Sequence, residues 1–185
     1  MLLSSASVHS FSQQPQLCQH MPPFMPAANT HHDGSGDRKR QTLIPVQVSL
    51  VMLQQNNRWL LQLRDDIDGI VAPGCWGLFG GHLEENESAE VALRRELLEE
   101  IGWCPKQLNP WLQHRDSARV VHVFSGELAV PLNQLQLLEG QDMDLVSLEE
   151  IRRGWIWSKR LQAKRPLAPV LRQLTPRLHE LDQAA

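Results

Sequence analysis

The chain has 185 residues, 42% of them hydrophobic, which is enough for one well-buried core and too little for two comfortable ones. A formal net charge of −3 gives no sign of the basic stripe that an extended nucleic-acid footprint requires, so a small-molecule substrate is expected, with neither nucleic acid nor membrane as partner. Cys18, Cys75 and Cys104 are odd in number and unpaired in spacing, which excludes a disulfide framework and a thiolate zinc site and suits a reducing cytoplasm.

Residues 1–32 hold no Lys, Arg, Asp or Glu, and His31-His32-Asp33-Gly34-Ser35-Gly36 reads as a joint. Residues 1–40 are therefore expected to be a disordered leader, and 41–183 the catalytic domain. No run approaches the roughly 18 apolar residues of a membrane span, and the first residues lack the basic and apolar regions of a secretion signal.

From Leu43 to Leu53 the composition is that of a strand, and Asn56-Asn57 is a turn signal before a second strand, Trp59 to Arg64. Asp65 to Gly74 reads as an irregular loop ending in the apolar, glycine-dense Trp76-Gly77-Leu78-Phe79-Gly80-Gly81. A helix is expected from Asn86 or Glu87 to Ile101, with Gly102 as the left-handed residue that closes it. Leu112–His114 and Val120–Leu128 read as strands, and Asp142–Val146 as a further short one. Ser147-Leu148-Glu149-Glu150 is a capping-box start for a brief helix ending at Gly154, and a last helix is expected from Pro166, ending or restarting at Thr175-Pro176. Strands, one central helix, more strands and then helices argue for an α/β fold, a mixed sheet covered by helices.

On the central helix, at about 100° per residue, Glu96, Glu99 and Glu100 share one arc beside Ala89 and Ala92, while Val91, Leu93, Leu97, Leu98 and Ile101 take much of the rest. Like charges at i, i+4 destabilise a helix by roughly 0.2–0.5 kcal/mol, so something must offset them. A divalent cation with oxygen ligands does so, and Mg²⁺ characteristically takes carboxylates together with substrate phosphates. The plain alternative is a solvated acidic helix face, paired with Arg94 and Arg95.

The spacing decides against that alternative. Gly81, five residues, Glu87, seven residues, then Arg95-Glu96-Leu97-Leu98-Glu99-Glu100-Ile101-Gly102-Trp103 resembles the Nudix box position by position. There are two departures: Trp103 stands where the family has a smaller apolar residue, and Phe79 precedes Gly80-Gly81 where a proline is common. The resemblance implies a Nudix-like α/β/α sandwich and Mg²⁺-dependent hydrolysis of a phosphoanhydride bond in a nucleoside diphosphate linked to another group, with Mn²⁺ as an alternative cofactor. Carried over by position, it implies Glu96, Glu99 and Glu100 as metal ligands with the Gly80 carbonyl beside them, and Glu87 and Arg95 as structural supports. Glu139-Gly140-Gln141 looks like the segment that, in the 8-oxo-dGTP branch of the family, brings a glutamate to the metal. Glu99, Glu100 and Glu139 are thus the candidate general bases.

Arg64, at a strand end, is a candidate phosphate contact. His82 and His122 are assigned no role, and Trp76, Trp155 and Trp157 are read first as core and loop anchors. The segment Arg165-Pro166-Leu167-Ala168-Pro169 lacks an asparagine where the 8-oxo-dGTP branch reads guanine. Nucleoside triphosphates, ADP-ribose, nucleotide sugars and dinucleotide polyphosphates all stay open as substrates, and a homodimer is an expectation at family level alone. The reading from another class is a catalytically silent Nudix module that senses a nucleotide; the intact box argues against it.

Overall fold

A computed structural model describes residues 45–115 and 118–182, so the expected leader, 1–40, lies outside the described residues. Strand β1 (Val46–Gln55) is the axis of the sheet. It turns through Asn56 and Asn57, both at positive φ (50° and 57°), into β2 (Arg58–Leu63). Asparagine is the side chain that best tolerates two consecutive left-handed residues, which is why the hairpin was legible as a dipeptide.

Beyond the irregular 64–75 loop come β3 (Trp76–Gly77) and β4 (Phe79–His82), pairing with β2 and β1 respectively. After helix α1 (Ala89–Ile101), β5 (Asn109–Arg115) and β6 (Arg119–Glu127) form an antiparallel pair, and β6 runs parallel to β1 from Val46 to Gln54. Strand β7 (Asp142–Ser147) closes the sheet against β2. One parallel pairing among antiparallel ones makes the sheet mixed, as expected.

Alternation along β1 divides the core in two. Val51 and Leu53 join Leu60, Phe79, Leu93, Leu97 and Ile101 beneath α1. Leu50 and Met52 join Trp59, Leu61, Trp76 and Ile151 on the other face, together with Leu171, Leu174 and Leu178. That second layer comprises α2 (Leu148–Arg152), α3 (Pro169–Leu174) and α4 (His179–Asp182), the last two linked by a 3₁₀ turn over Thr175–Arg177. The result is an α/β/α sandwich. Among the described residues no helix is long and apolar enough to cross a membrane.

Four local expectations are corrected. Helix α1 starts at Ala89, because Ser88 caps it by accepting from the Val91 amide at 3.3 Å, whereas Asn86 sits at φ 65° in the preceding turn. Val91 and Leu98, expected on the buried face of α1, are exposed. The last helices begin at Pro169, not Pro166. Pro166 instead ends β9 (Ala163–Pro166), which forms with β8 (Trp155–Ser158) a two-stranded hairpin that the sequence reading did not anticipate. The capping box was read correctly, with Ser147 and Glu150 bonding each other's backbone amides.

That hairpin is fixed to the sheet through Ser158. Its hydroxyl, fully buried, donates to Asp142 Oδ2 at 2.7 Å and accepts from the Leu161 amide at 3.0 Å. Removing one partner of a buried hydrogen bond costs roughly 1–3 kcal/mol. Ser158→Ala is therefore expected to lower the urea midpoint by a stability loss in that range with an unchanged m-value; no change in midpoint would show that the hairpin is held otherwise.

Candidate active site

Four elements bring the sequence-predicted residues to one end of the sheet: the end of β2, the β4 glycines, helix α1 and the segment before β7. Helix α1 is closed by Gly102 at φ 65°, whose amide bonds the Leu98 carbonyl. On its β4-facing side, Glu96 lies directly over Gly81. A Cβ added at Gly81 would fall 2.5 Å from the Glu96 carboxyl carbon, so a side chain there would displace the carboxylate from its present place. Gly80 is bound as tightly. It sits at φ 117°, and a Cβ there would fall 2.1 Å from the Ser49 carbonyl oxygen.

Arg95 ties loop to helix. Its guanidinium donates to both Glu87 oxygens at 3.1 Å and to the His82 carbonyl at 3.0 Å. Its remaining arm reaches Glu96 at 2.9 Å and Glu99 at 3.2 Å. Glu87 in turn accepts from the Glu84 amide at 3.0 Å, and its pKa is held below the ordinary carboxylate value, chiefly by the bond from Arg95. The Arg95 pKa is raised, again first through Glu87. This planar fork satisfying three carboxylates and a carbonyl is a task for arginine and not for lysine.

Glu100 differs from its neighbours. It is 2% exposed, and its two oxygens accept from Gln62 Nε2 at 2.9 Å and from the Gly80 amide at 2.8 Å. Among the described residues no cation reaches it. Burial raises its pKa to about 7; the bonds from Gln62 and Gly80 oppose the rise, and the negative charges of Glu139 and Glu96 add to it. Glu139 is exposed, and the following Gly140 packs against the Leu63 carbonyl at the end of β2.

Thus Glu96 and Glu139 are both brought within electrostatic reach of Glu100, while Glu99 stands further out, its side chain 59% exposed against 18% for Glu96. Arg64 is at the predicted place, the end of β2, but its Nε donates to the Val71 carbonyl at 2.8 Å and so anchors the 65–74 loop. His122 hydrogen-bonds Gln113 and Gln47, away from the site. Gln62 was missed by sequence reasoning. The signal was available: a lone amide inside the run Trp59-Leu60-Leu61-Gln62-Leu63, buried at 1% exposure, must bond something.

Among the described residues no three His, Cys, Asp or Glu side chains converge as arranged at metal-binding distance, since Arg95 and the Gln62–Gly80 pair take up the carboxylate oxygens. The donor set is nonetheless all oxygen, which fits a hard divalent cation and not a soft one. A buried, cation-free carboxylate facing two others supplies the charge that such an ion would neutralise. A cleft of about 830 Å³ lined by Gln55, Asn57, Trp59, Asn109 and Leu128 opens at the opposite, turn end of β2 and takes no part in this cluster.

The comparisons with known proteins bear on the family and the fold. The family model for the NUDIX domain matches residues 43–177, and the chain belongs to the NUDIX family. Among curated proteins it is 43% identical over 68 residues to nucleoside triphosphatase NudI of Enterobacter sp. (strain 638), covering 36% of this chain and 48% of that protein. NudI of Salmonella newport (strain SL254) is 39% identical over 71 residues, covering 37% and 49%. The chain thus spans about half the length of the curated relatives it matches.

Among solved structures, the MutT protein of Methanosarcina mazei Go1 superposes with a TM-score of 0.56 at 20% identity, covering 75% of this chain and 96% of that one. The NUDIX domain of Shewanella oneidensis NrtR complexed with ADP ribose gives 0.53 at 19% identity, covering 74% and 86%. At these identities the likeness is one of fold.

The Glu100 carboxyl makes a testable demand on stability. Its folded pKa of about 7 exceeds the ordinary 4.5, so between those values the folded state keeps a proton that the unfolded state has lost. Metal-free protein must therefore lose stability as pH rises through that window, with the full penalty above it. Glu100→Gln, measured by thermal unfolding with chelator present, is expected to gain on the wild type as pH rises from about 4.5 to about 7 and to hold its advantage above. A difference independent of pH would mean that Glu100 is not buried as an ionisable group.

Proposed function

We propose that this chain is a divalent-metal-dependent pyrophosphohydrolase that cleaves a phosphoanhydride bond in a nucleoside diphosphate carrying a further group, with Mg²⁺ as the working ion. The observation that carries this reading is Glu100: a carboxylate buried without a cation partner among the described residues, facing Glu96 and Glu139, on the helix that bears the family motif.

Glu96, Glu99 and Glu100, with the Gly80 carbonyl, are the residues that would hold the ion. Bound there, a divalent cation supplies charge neutralisation of the diphosphate and Lewis-acid polarisation of the reacting oxygens. The chain's own residues do the rest. Glu87 and Arg95 keep the loop and helix in register. Gln62 and the Gly80 amide orient the Glu100 carboxylate.

Glu99 and Glu139 are the more exposed carboxylates and so the ones that water reaches, Glu99 through the oxygen that Arg95 does not hold, whereas both Glu100 oxygens are already engaged. Arg64 would add a phosphate contact through the part of its guanidinium not bonded to Val71. Among substrates, a nucleoside triphosphate comes first because the curated relatives are named for that activity. The odd number and uneven spacing of the cysteines suit a reducing cytoplasm.

The test is product release from a panel of nucleoside triphosphates, ADP-ribose and nucleotide sugars, with Mg²⁺ and with chelator. Hydrolysis that requires the ion and falls by about a hundredfold or more in Glu99→Gln or Glu139→Gln is expected. Turnover that persists in chelator, or in both variants, would overturn the assignment.

A further inference from the structure

The whole-chain charge conceals a strong segregation. Residues 151–179 hold eight Lys and Arg and no Asp or Glu, in a chain whose net charge is −3. Six of the eight, Arg152, Arg153, Lys159, Arg160, Lys164 and Arg165, lie on or beside the β8–β9 hairpin.

Register places the aromatic groups among them. Trp157 is directly opposite Lys164, and Trp155 opposite Pro166, while the alternate residues Ile156 and Ser158 are buried. One face of the hairpin is thus turned inward, and the other presents two tryptophans to solvent. Lys164 Nζ stands 4.4 Å from the Trp155 ring centroid and the Arg153 guanidinium carbon 5.2 Å from it. Among the described residues no cation covers Trp157, which is 44% exposed. Arg152 and Lys164 have no carboxylate partner among the described residues.

The ribbon is also rigidly placed. Ser158 is bonded to Asp142, Lys159 pairs with Asp144 at 2.7 Å, and Arg160 donates to the Gln141 carbonyl at 3.2 Å. Gln141 is two residues from Glu139, so the hairpin tip borders the acidic site and the tryptophans lead away from it.

We propose that the outward face of the β8–β9 hairpin is a binding surface for a single-stranded nucleic acid, with Trp157 as a stacking platform and Lys164, Arg152 and Arg153 as its phosphate contacts. Sequence-tolerant single-strand binding needs this combination, aromatic faces for bases and cations along the backbone. Side chains two residues apart on one strand face are spaced by about 6.6 Å, close to twice the roughly 3.4 Å repeat of a stacked strand. A lipid surface would call for apolar groups standing clear of the cations, whereas here the cations lie against the Trp155 ring and directly across from Trp157. The proposal concerns binding and goes beyond the hydrolase reading; either can fail without the other.

The experiment is fluorescence anisotropy of a fluorescein-labelled single-stranded oligothymidylate titrated with the full chain at low salt, alongside quenching of tryptophan emission and sedimentation with anionic phosphatidylglycerol vesicles. We expect binding that quenches tryptophan and weakens with salt with a log–log slope of about −2, three phosphates at roughly 0.7 each. Trp157→Ala and Lys164→Glu should each weaken it by about tenfold, with thermal unfolding and nucleotide hydrolysis unchanged. Absence of binding, binding indifferent to both substitutions, or a Trp157-dependent preference for vesicles over the oligonucleotide would each overturn the proposal.

Discussion

A carboxylate removed from water without a cation beside it is expensive, and this fold is organised around one. Glu100 is oriented by a strand amide, Gln62, and by a backbone amide of the glycine loop, Gly80, so three elements meet at its two oxygens. Neither donor carries charge. The group is consequently held in place yet left electrostatically unfinished, with Glu96 and Glu139 adding to its difficulty. A titratable group buried in this way is the feature on which the proposed metal site rests.

Arg95 plays the complementary part. Three carboxylates and a carbonyl share its guanidinium, which binds the loop after β4 to the helix and holds Glu96 and Glu99 together against their mutual repulsion. The glycines close the arrangement sterically: Gly81 leaves room for the Glu96 carboxylate, and Gly80 lets β4 approach β1. Loop, helix and strand are thereby fixed to one another by contacts that all converge on the acidic end of the sheet.

Much of this was legible in the sequence because the signals are local and chemically specific. Asn56-Asn57 encodes a turn whose two left-handed residues few other pairs accept, Ser147 and Glu150 encode a reciprocal cap, and the spacing from Gly81 to Trp103 encodes the helix and its carboxylates. What was lost lay where two residues competed for one role. Asn86 and Ser88 are both good caps, and the chain uses the first in a turn and the second as the cap. Pro166 and Pro169 both suit a helix start, yet pairing of Pro166 with Trp155 draws it into a strand. The β8–β9 hairpin escaped notice because four-residue strands carry too little periodicity to be seen, and with it went the grouping of cations that the net charge averages away. The exposure of Val91 and Leu98 depends on how far the sheet wraps the helix, which no helical wheel contains.

The most direct test of the central claim is the proton balance of metal binding. If Glu100 is kept protonated by burial until a divalent ion arrives, Mg²⁺ or Mn²⁺ titrated by calorimetry in buffers of different ionisation enthalpy must release close to one proton per ion well below pH 7 and almost none well above it, and Glu100→Gln must abolish that release. Metal uptake without proton release at low pH, or no metal uptake at all, would contradict the account.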